Sequence, residues 1–181
     1  DVELSSSYPA VIKGKQDIEI RPQVSGFITR LAVDEGSVVK KGQTLFIIDP
    51  VQYEEAANAA RASVQVAKAN VATAELTAQN KRELAKNNII GAYELQMAEN
   101  SLLSSKAVLA QANAQLISAE KNLSYTRVSS PSDGVVGSIP FRVGSLVSPS
   151  IATPLTTVSD ISEMYAYFSM TERQLLGYTS T

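Results

Sequence analysis

Few residues in this sequence are of types that do covalent chemistry. Among its 181 residues there is no cysteine and no histidine. That leaves no thiolate nucleophile, disulfide or imidazole ligand. A Ser-His-Asp triad and a zinc site built on cysteine and histidine are thereby excluded. Carboxylates and amines remain. Hydrolysis needs paired carboxylates or an activated nucleophile. Asp34-Glu35 are neighbours in an expected turn, and extended backbone points adjacent side chains different ways. Asp133-Gly134 is a turn signal. Both pairs read as structural. Lys40-Lys41 precede Gly42 in another expected turn and read as solvated. The chain is expected not to be an enzyme and to use no catalytic residue, cofactor or metal.

Composition narrows the classes further. A formal net charge of −2, with no basic arm or acidic tail, argues against a nucleic-acid partner. No apolar run approaches the roughly 18 residues that a membrane span needs. Residue 1 is Asp, so the chain is expected to be a processed or trimmed piece, with any leader or anchor removed.

The elements that position the remaining candidates follow from periodicity. Residues 1 to 49 are rich in β-branched residues and turns. Residues 50 to 124 contain one glycine, Gly91, no proline after Pro50, and many alanines, which is helix composition. Residues 125 to 161 return to strand and turn signals, and a last strand, Tyr165 to Ser169, precedes a capping box at Thr171-Glu172-Arg173-Gln174. Asp49 suits an N-cap, with Pro50 in the first turn and Gln52 at the third position. From there Tyr53, Ala57, Ala60, Val64, Ala67, Val71, Ala74 and Ala78 alternate spacings of four and three. Leu95, Ala98, Leu102, Ser105, Leu109, Ala112, Leu116, Ala119 and Leu123 do the same, with Ser105 the one break. A seam of this period sustained over about four heptads predicts a coiled coil. Asn87-Asn88-Ile89-Ile90-Gly91 leaves room only for a reversal, so the helices must be antiparallel neighbours. Each arm of about 35 residues then extends about 50 Å.

A second stripe, Ala59, Ala62, Val66, Ala69, Thr73 and Leu76, lies nearly opposite the first seam. The matching residues of the second helix, Asn100, Ser104, Ala107, Gln111, Ala114 and Ser118, are polar or small. A two-helix hairpin buries one side of each helix, so the stripe points to lateral contact with another chain. Helix-compatible surface filler is the plain alternative.

The flanks of the helical stretch resemble one another. Gly26 to Val39 and Gly134 to Val147 share a ten-residue interval from glycine to glycine, followed by serine and two apolar residues. Ile28 falls with Val136, Leu31 with Ile139, and Val33 with Phe141. Leu45 to Asp49 echoes Leu155 to Val158, which Ser159 and Asp160 follow. Neither half has enough apolar surface to stand alone, so the halves should pack as one two-fold β-sandwich. The glycines suit turns or bulges with positive φ. Residues 1–15 and 162–181 read as strands of a further β-barrel that needs more strands than they supply.

Ile20-Arg21-Pro22-Gln23-Val24-Ser25-Gly26-Phe27-Ile28, the run from Asp34 to Pro50, Asn122 to Val128, Ser130 to Gly137, Thr153-Pro154-Leu155 and Val158 to Ser162 occur in an order that resembles the periplasmic adaptor subunits, or membrane fusion proteins, of tripartite efflux pumps of the resistance-nodulation-division (RND) class. The resemblance covers nearly the whole chain. It implies an α+β multidomain rod. In it, a long antiparallel coiled-coil hairpin (50–124) is inserted between two halves (16–49 and 125–161) of a lipoyl-like β-sandwich, beside a partial β-barrel (1–15 and 162–181).

It also implies a bridging role in the periplasm, between an inner-membrane RND transporter and a TolC-like outer-membrane channel, in export of drugs or other small molecules. Self-association as a hexameric or trimer-of-dimers ring and anchoring to the inner membrane belong to the same expectation. The family's hairpin tip carries Arg, Leu four residues on, and Ser or Thr seven further. Aligned on Leu84, Asn80 stands at the Arg position and Gly91 at the Ser position, so only the leucine matches. Arg82 and Lys81 lie close by. The candidate channel contacts are Asn80, Arg82, Leu84, Ile89, Ile90, Gly91 and Tyr93, and the candidate adaptor-adaptor contacts are the stripe from Ala59 to Leu76. True lipoyl domains carry a modified lysine, but at the turn where the hairpin is inserted here, so Lys40 and Lys41 are expected to be unmodified. Adaptors of ABC-type and major-facilitator exporters share the fold and stay open as alternatives.

Overall fold

A computed structural model describes residues 17–160. The barrel strands expected over 1–15 and 162–181, the strand at Tyr165 and the capping box at Thr171 lie outside the described residues. The chain divides into two compact units, one formed by Pro50–Ser124 and the other by the segments on either side.

The first unit is two helices, α1 (Val51–Lys86, 36 residues) and α2 (Ala92–Ser124, 33 residues). Alanine-rich sequence without internal proline or glycine favours helix at nearly every position. The apolar period then decides how the helices pair. Every seam residue from Tyr53 to Ala78 and from Leu95 to Leu123 is buried or half-buried, and nearly all others on the shaft are exposed. Val64, Ala67 and Ala112 form a buried cluster at mid-length, with Leu109 and Leu116 packed against it. Ser105, the break in the stripe, stays in the seam and is half-buried.

The reversal is a Schellman motif. Asn88 takes a left-handed φ of 55°, which asparagine tolerates better than most residues. The Ile89 N–H donates to the Leu84 carbonyl at 2.9 Å and the Asn88 N–H to that of Ala85 at 3.1 Å. One expectation needs correction. The N-cap of α1 is Pro50, not Asp49, and Pro50 offers no side-chain cap. The helix opens instead with the Glu54 N–H donating to the Pro50 carbonyl at 2.8 Å.

Among its described residues the second unit holds eight strands: β1 (Asp17–Ile20), β2 (Gly26–Leu31), β3 (Val38–Val39), β4 (Thr44–Ile48), β5 (Arg127–Ser129), β6 (Gly134–Val136), β7 (Leu146–Val147) and β8 (Thr156–Asp160). They form two four-stranded sheets, ordered β1-β8-β6-β3 and β5-β4-β2-β7. Exchanging the first four strands with the last four turns one order into the other. The exchange holds at the level of register. Ile28 pairs with Ile48 as Val136 pairs with Val158. Gly26 pairs with Val147 as Gly134 pairs with Val39, and Ile20 pairs with Thr156 as Val128 pairs with Phe46. Across the halves, the Gly36 N–H donates to the Val136 carbonyl at 2.8 Å, and the Gly144 N–H to the Ile28 carbonyl at 2.7 Å. The repeat read in the flanks is thus a repeat of structure.

Each half depends on the other for its core. Ile28, Val39, Leu45, Phe46 and Ile48 are at most 1% exposed, and their counterparts Val136, Val147, Leu155, Thr156 and Val158 at most 2%. Burial of each apolar side chain of this size stabilises by about 1.5–3 kcal/mol. Thr156, which stands where the first half has Phe46, donates its hydroxyl to the Ser138 carbonyl at 3.0 Å. The glycines divide by cause. Gly36 and Gly144 have φ of +81° and +95° in equivalent turns, as expected. Gly26 and Gly134 do not need positive φ. A Cβ on Gly134 would lie 2.3 Å from the Ser159 carbonyl oxygen, and one on Gly26 2.6 Å from the Ile48 Cγ2.

Candidate functional site

Two surfaces of the hairpin carry the features that the sequence singled out: its tip and its long outer faces.

At the tip the turn presents an apolar group to solvent. Ile89 and Tyr93 are 68% and 78% exposed, while Leu84 and Ile90 are half-buried. Asn80 is exposed. The Gly91 carbonyl accepts the Leu95 N–H at the start of α2, and a Cβ at Gly91 would meet open space. These residues come together through the Schellman turn, which sets α2 back along α1.

Arg82 is occupied within the hairpin. Its Nε and Nη2 grip both carboxylate oxygens of Glu99 on the facing helix, the latter at 2.8 Å, and its Nη1 reaches Glu75 at 3.4 Å. The forked pairing holds the guanidinium more firmly protonated and pulls the Glu99 carboxyl below its ordinary range, chiefly through the hydrogen bond between them. Lys81 pairs with Glu94 at 3.6 Å. Nearer the base, Arg61 pairs with Glu120 at 3.4 Å and with Asn58 on its own helix at 2.7 Å.

These pairs belong to a row that the sequence reading missed. Arg82 and Glu99 lie three heptads from Arg61 and Glu120 respectively. Between residues 56 and 80 of α1 and 95 and 119 of α2, every charged side chain (Arg61, Lys68, Glu75, Glu99 and Lys106) falls in that one heptad phase. The phase immediately follows a seam residue. In an antiparallel pair, such positions face each other across one flank of the seam. Periodic counting of charges, rather than of apolar residues, would have found it.

The opposite flank has no charged residue over the same span. A groove of about 410 Å³ runs along it, lined by Ala62, Ser63 and Val66 of α1 and Val108, Gln111 and Gln115 of α2, among others. Ala59, Ala62, Val66, Ala69, Thr73 and Leu76 are all exposed. The second helix has an apolar stripe of its own in a different phase. Leu103, Ala110 and Ile117 recur every seven residues, with Leu103 and Ile117 exposed by 68% and 65%. It is out of phase with the stripe of α1, so the positions of α2 that match that stripe do not reveal it.

In the β unit the acidic turn residues are tied to backbone. Glu35 accepts the Ile139 N–H and Asp133 the Lys41 N–H, each at 2.8 Å, so both carboxylates tie turns of one half to the other. Among the described residues no group of acidic side chains could hold a metal ion, and no helix is long and apolar enough to cross a membrane.

A helical hairpin lies, in sequence, between the two exchangeable halves of a β unit. The matching family is described as the RND MFP, barrel-sandwich hybrid domain, and it covers residues 16–159. The chain belongs to this family of membrane fusion proteins, which are non-enzymatic adaptors. It is 33% identical over 175 residues to the multidrug resistance protein MexA of Pseudomonas aeruginosa, covering 97% of this chain and 42% of that one. It is 29% identical over 175 residues to the multidrug efflux pump subunit AcrA of Escherichia coli K12, covering 97% and 44%. The crystal structure of MacA from Actinobacillus actinomycetemcomitans matches with a TM-score of 0.58 at 28% identity, over 81% of this chain and 55% of that one. The chain thus spans less than half the length of these curated relatives.

Proposed function

We propose that this chain is the hairpin and lipoyl-like portion of a periplasmic adaptor. In that role it bridges an inner-membrane RND transporter and a TolC-like outer-membrane channel and supports export of drugs or other small molecules. The observation that carries the reading is the apolar tip. Ile89 and Tyr93 stand exposed at the reversal of a shaft made of helices of 36 and 33 residues, a cost to solubility that a docking partner would remove. Asn80, Leu84, Ile90 and Gly91 complete the proposed channel contact. Arg82 is part of it only through its hold on the shaft.

The division of labour follows the elements. Residues 50–124 are the hairpin, 16–49 and 125–161 the two halves of a lipoyl-like sandwich, and 1–15 with 162–181 a portion of a β-barrel, all within a rod-shaped protein. Exchangeable four-stranded sheets support the lipoyl-like assignment. Adaptors stand side by side as a hexameric or trimer-of-dimers ring through Ala59, Ala62, Val66, Ala69, Thr73 and Leu76, and the ring is anchored to the inner membrane. The mechanism is assembly: the ring seals a passage, and binding to the channel ends it at the outer membrane.

The test is drug resistance in cells expressing the full-length protein. Leu84→Asp and Ile89→Asp should each abolish most export at normal protein abundance. Ile89 is exposed, so its substitution leaves the fold intact, and undiminished resistance in that variant rejects docking through the tip.

A further inference from the structure

We infer that Lys81, Arg82, Glu75, Glu94 and Glu99 form an ion-pair collar that positions the hairpin tip, taking over where the apolar seam runs out. The inference rests on the reading of the tip as the docking end.

The seam changes character along the shaft. At mid-length, Val64, Ala67 and Ala112 are buried with Leu109 and Leu116 against them. Toward the tip, the last fully buried residue of α1 is Ala78, and the first of α2 is Ala98. The next seam position after Ala78 holds a lysine, Lys81, and no residue from there to Met97 is fully buried. Alanine offers little area to bury and little shape to lock a neighbour.

In the same segment lie two of the three ion pairs that cross between the helices, Lys81 with Glu94 and Arg82 with Glu99, and Glu75 adds a second carboxylate to Arg82. The Arg82 contact is the forked kind, which fixes orientation as well as distance. The collar therefore sets how far apart and at what rotation the helices approach the Schellman turn. That in turn sets where Leu84, Ile89, Ile90 and Tyr93 stand. Arg82 is a positioning residue here, its guanidinium spent on the shaft rather than on the channel.

Ion pairs at exposed sites are screened by salt, and apolar packing is not. This separates the collar from the rest of the shaft in one experiment. Hydrogen exchange is followed on the full-length protein at about 0.05 and 1 M NaCl, across which the screening length falls from well above 10 Å to about 3 Å. Protection in peptides spanning residues 76–99 should fall about three- to ten-fold in high salt. Protection at 60–72 and 105–116 should hold. Arg82→Gln should show the reduced protection already at low salt, and the exchange Arg82→Glu with Glu99→Arg, made together with Glu75→Gln so that two carboxylates do not meet, should restore it in part. Salt-independent protection at the tip, or loss spread evenly along both helices in Arg82→Gln, overturns the collar. Export read in the same variants tests the positioning role. Arg82→Gln should lower it and the charge exchange should recover it. A salt-sensitive tip with undiminished export in Arg82→Gln keeps the collar but overturns its positioning role, whereas docking through the tip itself stands or falls with Ile89→Asp.

Discussion

The two close-packed glycines of the β unit provide a comparison with a built-in control. Gly26 and Gly134 occupy equivalent places in the two halves, and each is replaced in turn by alanine. At Gly134 the new Cβ would lie 2.3 Å from the Ser159 carbonyl oxygen, 2.5 Å from the Val158 Cγ1 and 3.0 Å from the Ser159 carbonyl carbon. Two of these are backbone atoms of β8, which pairs with β6 through Val135 and Ser159, so relief requires the ladder to widen. At Gly26 the only close atom among the described residues is the Ile48 Cγ2 at 2.6 Å, the end of a side chain that can turn. Overpacking costs about 1–3 kcal/mol, and an off-rotamer isoleucine about 0.5–1.5 kcal/mol. Replacing glycine within a strand returns about 0.5–1 kcal/mol. Gly134→Ala should therefore destabilise by about 2 kcal/mol, and Gly26→Ala by less than about 1 kcal/mol. With urea slopes of about 1–3 kcal/mol/M, the midpoints should differ by about 1 M. Pulse proteolysis in urea, with fragments identified by mass, reports the β unit and the hairpin separately. Equal loss in the two variants, or greater loss in Gly26→Ala, would refute the distinction between backbone and side-chain contact.

Other expectations concern the hairpin. Val66→Asp with Leu76→Asp, both exposed, should weaken crosslinking between adaptors in the assembled pump and leave helix content unchanged; unaltered crosslinking sinks lateral contact through that stripe. Glu99 should titrate below the ordinary 4.5 of glutamate, because Arg82 holds its charged form. A depressed folded value means that the stabilisation is present at neutral pH and is lost as pH falls through that value. Carboxyl carbon shifts should place the midpoint below 4.5, and Arg82→Gln should raise it; a midpoint that does not move would contradict the pairing.

The coiled-coil seam was legible because one period governed it over many turns, and each counted residue is buried or half-buried. The duplication was legible because Gly36 and Gly144 mark the same turn, and a left-handed φ leaves few substitutes for glycine. What the sequence hid depends on distance in space. Nothing local tells that Gly134 is needed for a carbonyl across the ladder, while Gly36 is needed for its own backbone. Arg82 could be placed near the tip by number, but its partner Glu99 follows only from the length of the reversal and the phase of α2. The N-cap falls on Pro50 rather than Asp49, a shift of one residue, within the one or two by which the start of a helix is defined.

The exchange of halves also explains how a helical hairpin can sit inside a β unit at all. Strands β4 and β5 are antiparallel neighbours, with Ile47 opposite Arg127 and the Ile48 N–H donating to the Thr126 carbonyl at 2.7 Å. The chain leaves and re-enters the unit at adjacent points, where a simple turn would serve. The exchanged pair is β8 and β1, with Asp17 opposite Ser159. If the insertion is only a replaced turn, the β core should form without it. Residues 50–124 are replaced by Asn-Gly, a pair suited to tight hairpins, joining Asp49 to Tyr125. Because Leu45, Phe46, Ile48 and Val158, all fully buried, come from the strands alone, the variant should keep strong exchange protection in β4 and β8. It should lose nearly all helical circular dichroism at 222 nm. Failure of β4 to regain protection, with β5 detached, would mean that the hairpin holds those strands together, and the picture of a self-sufficient β core would fall.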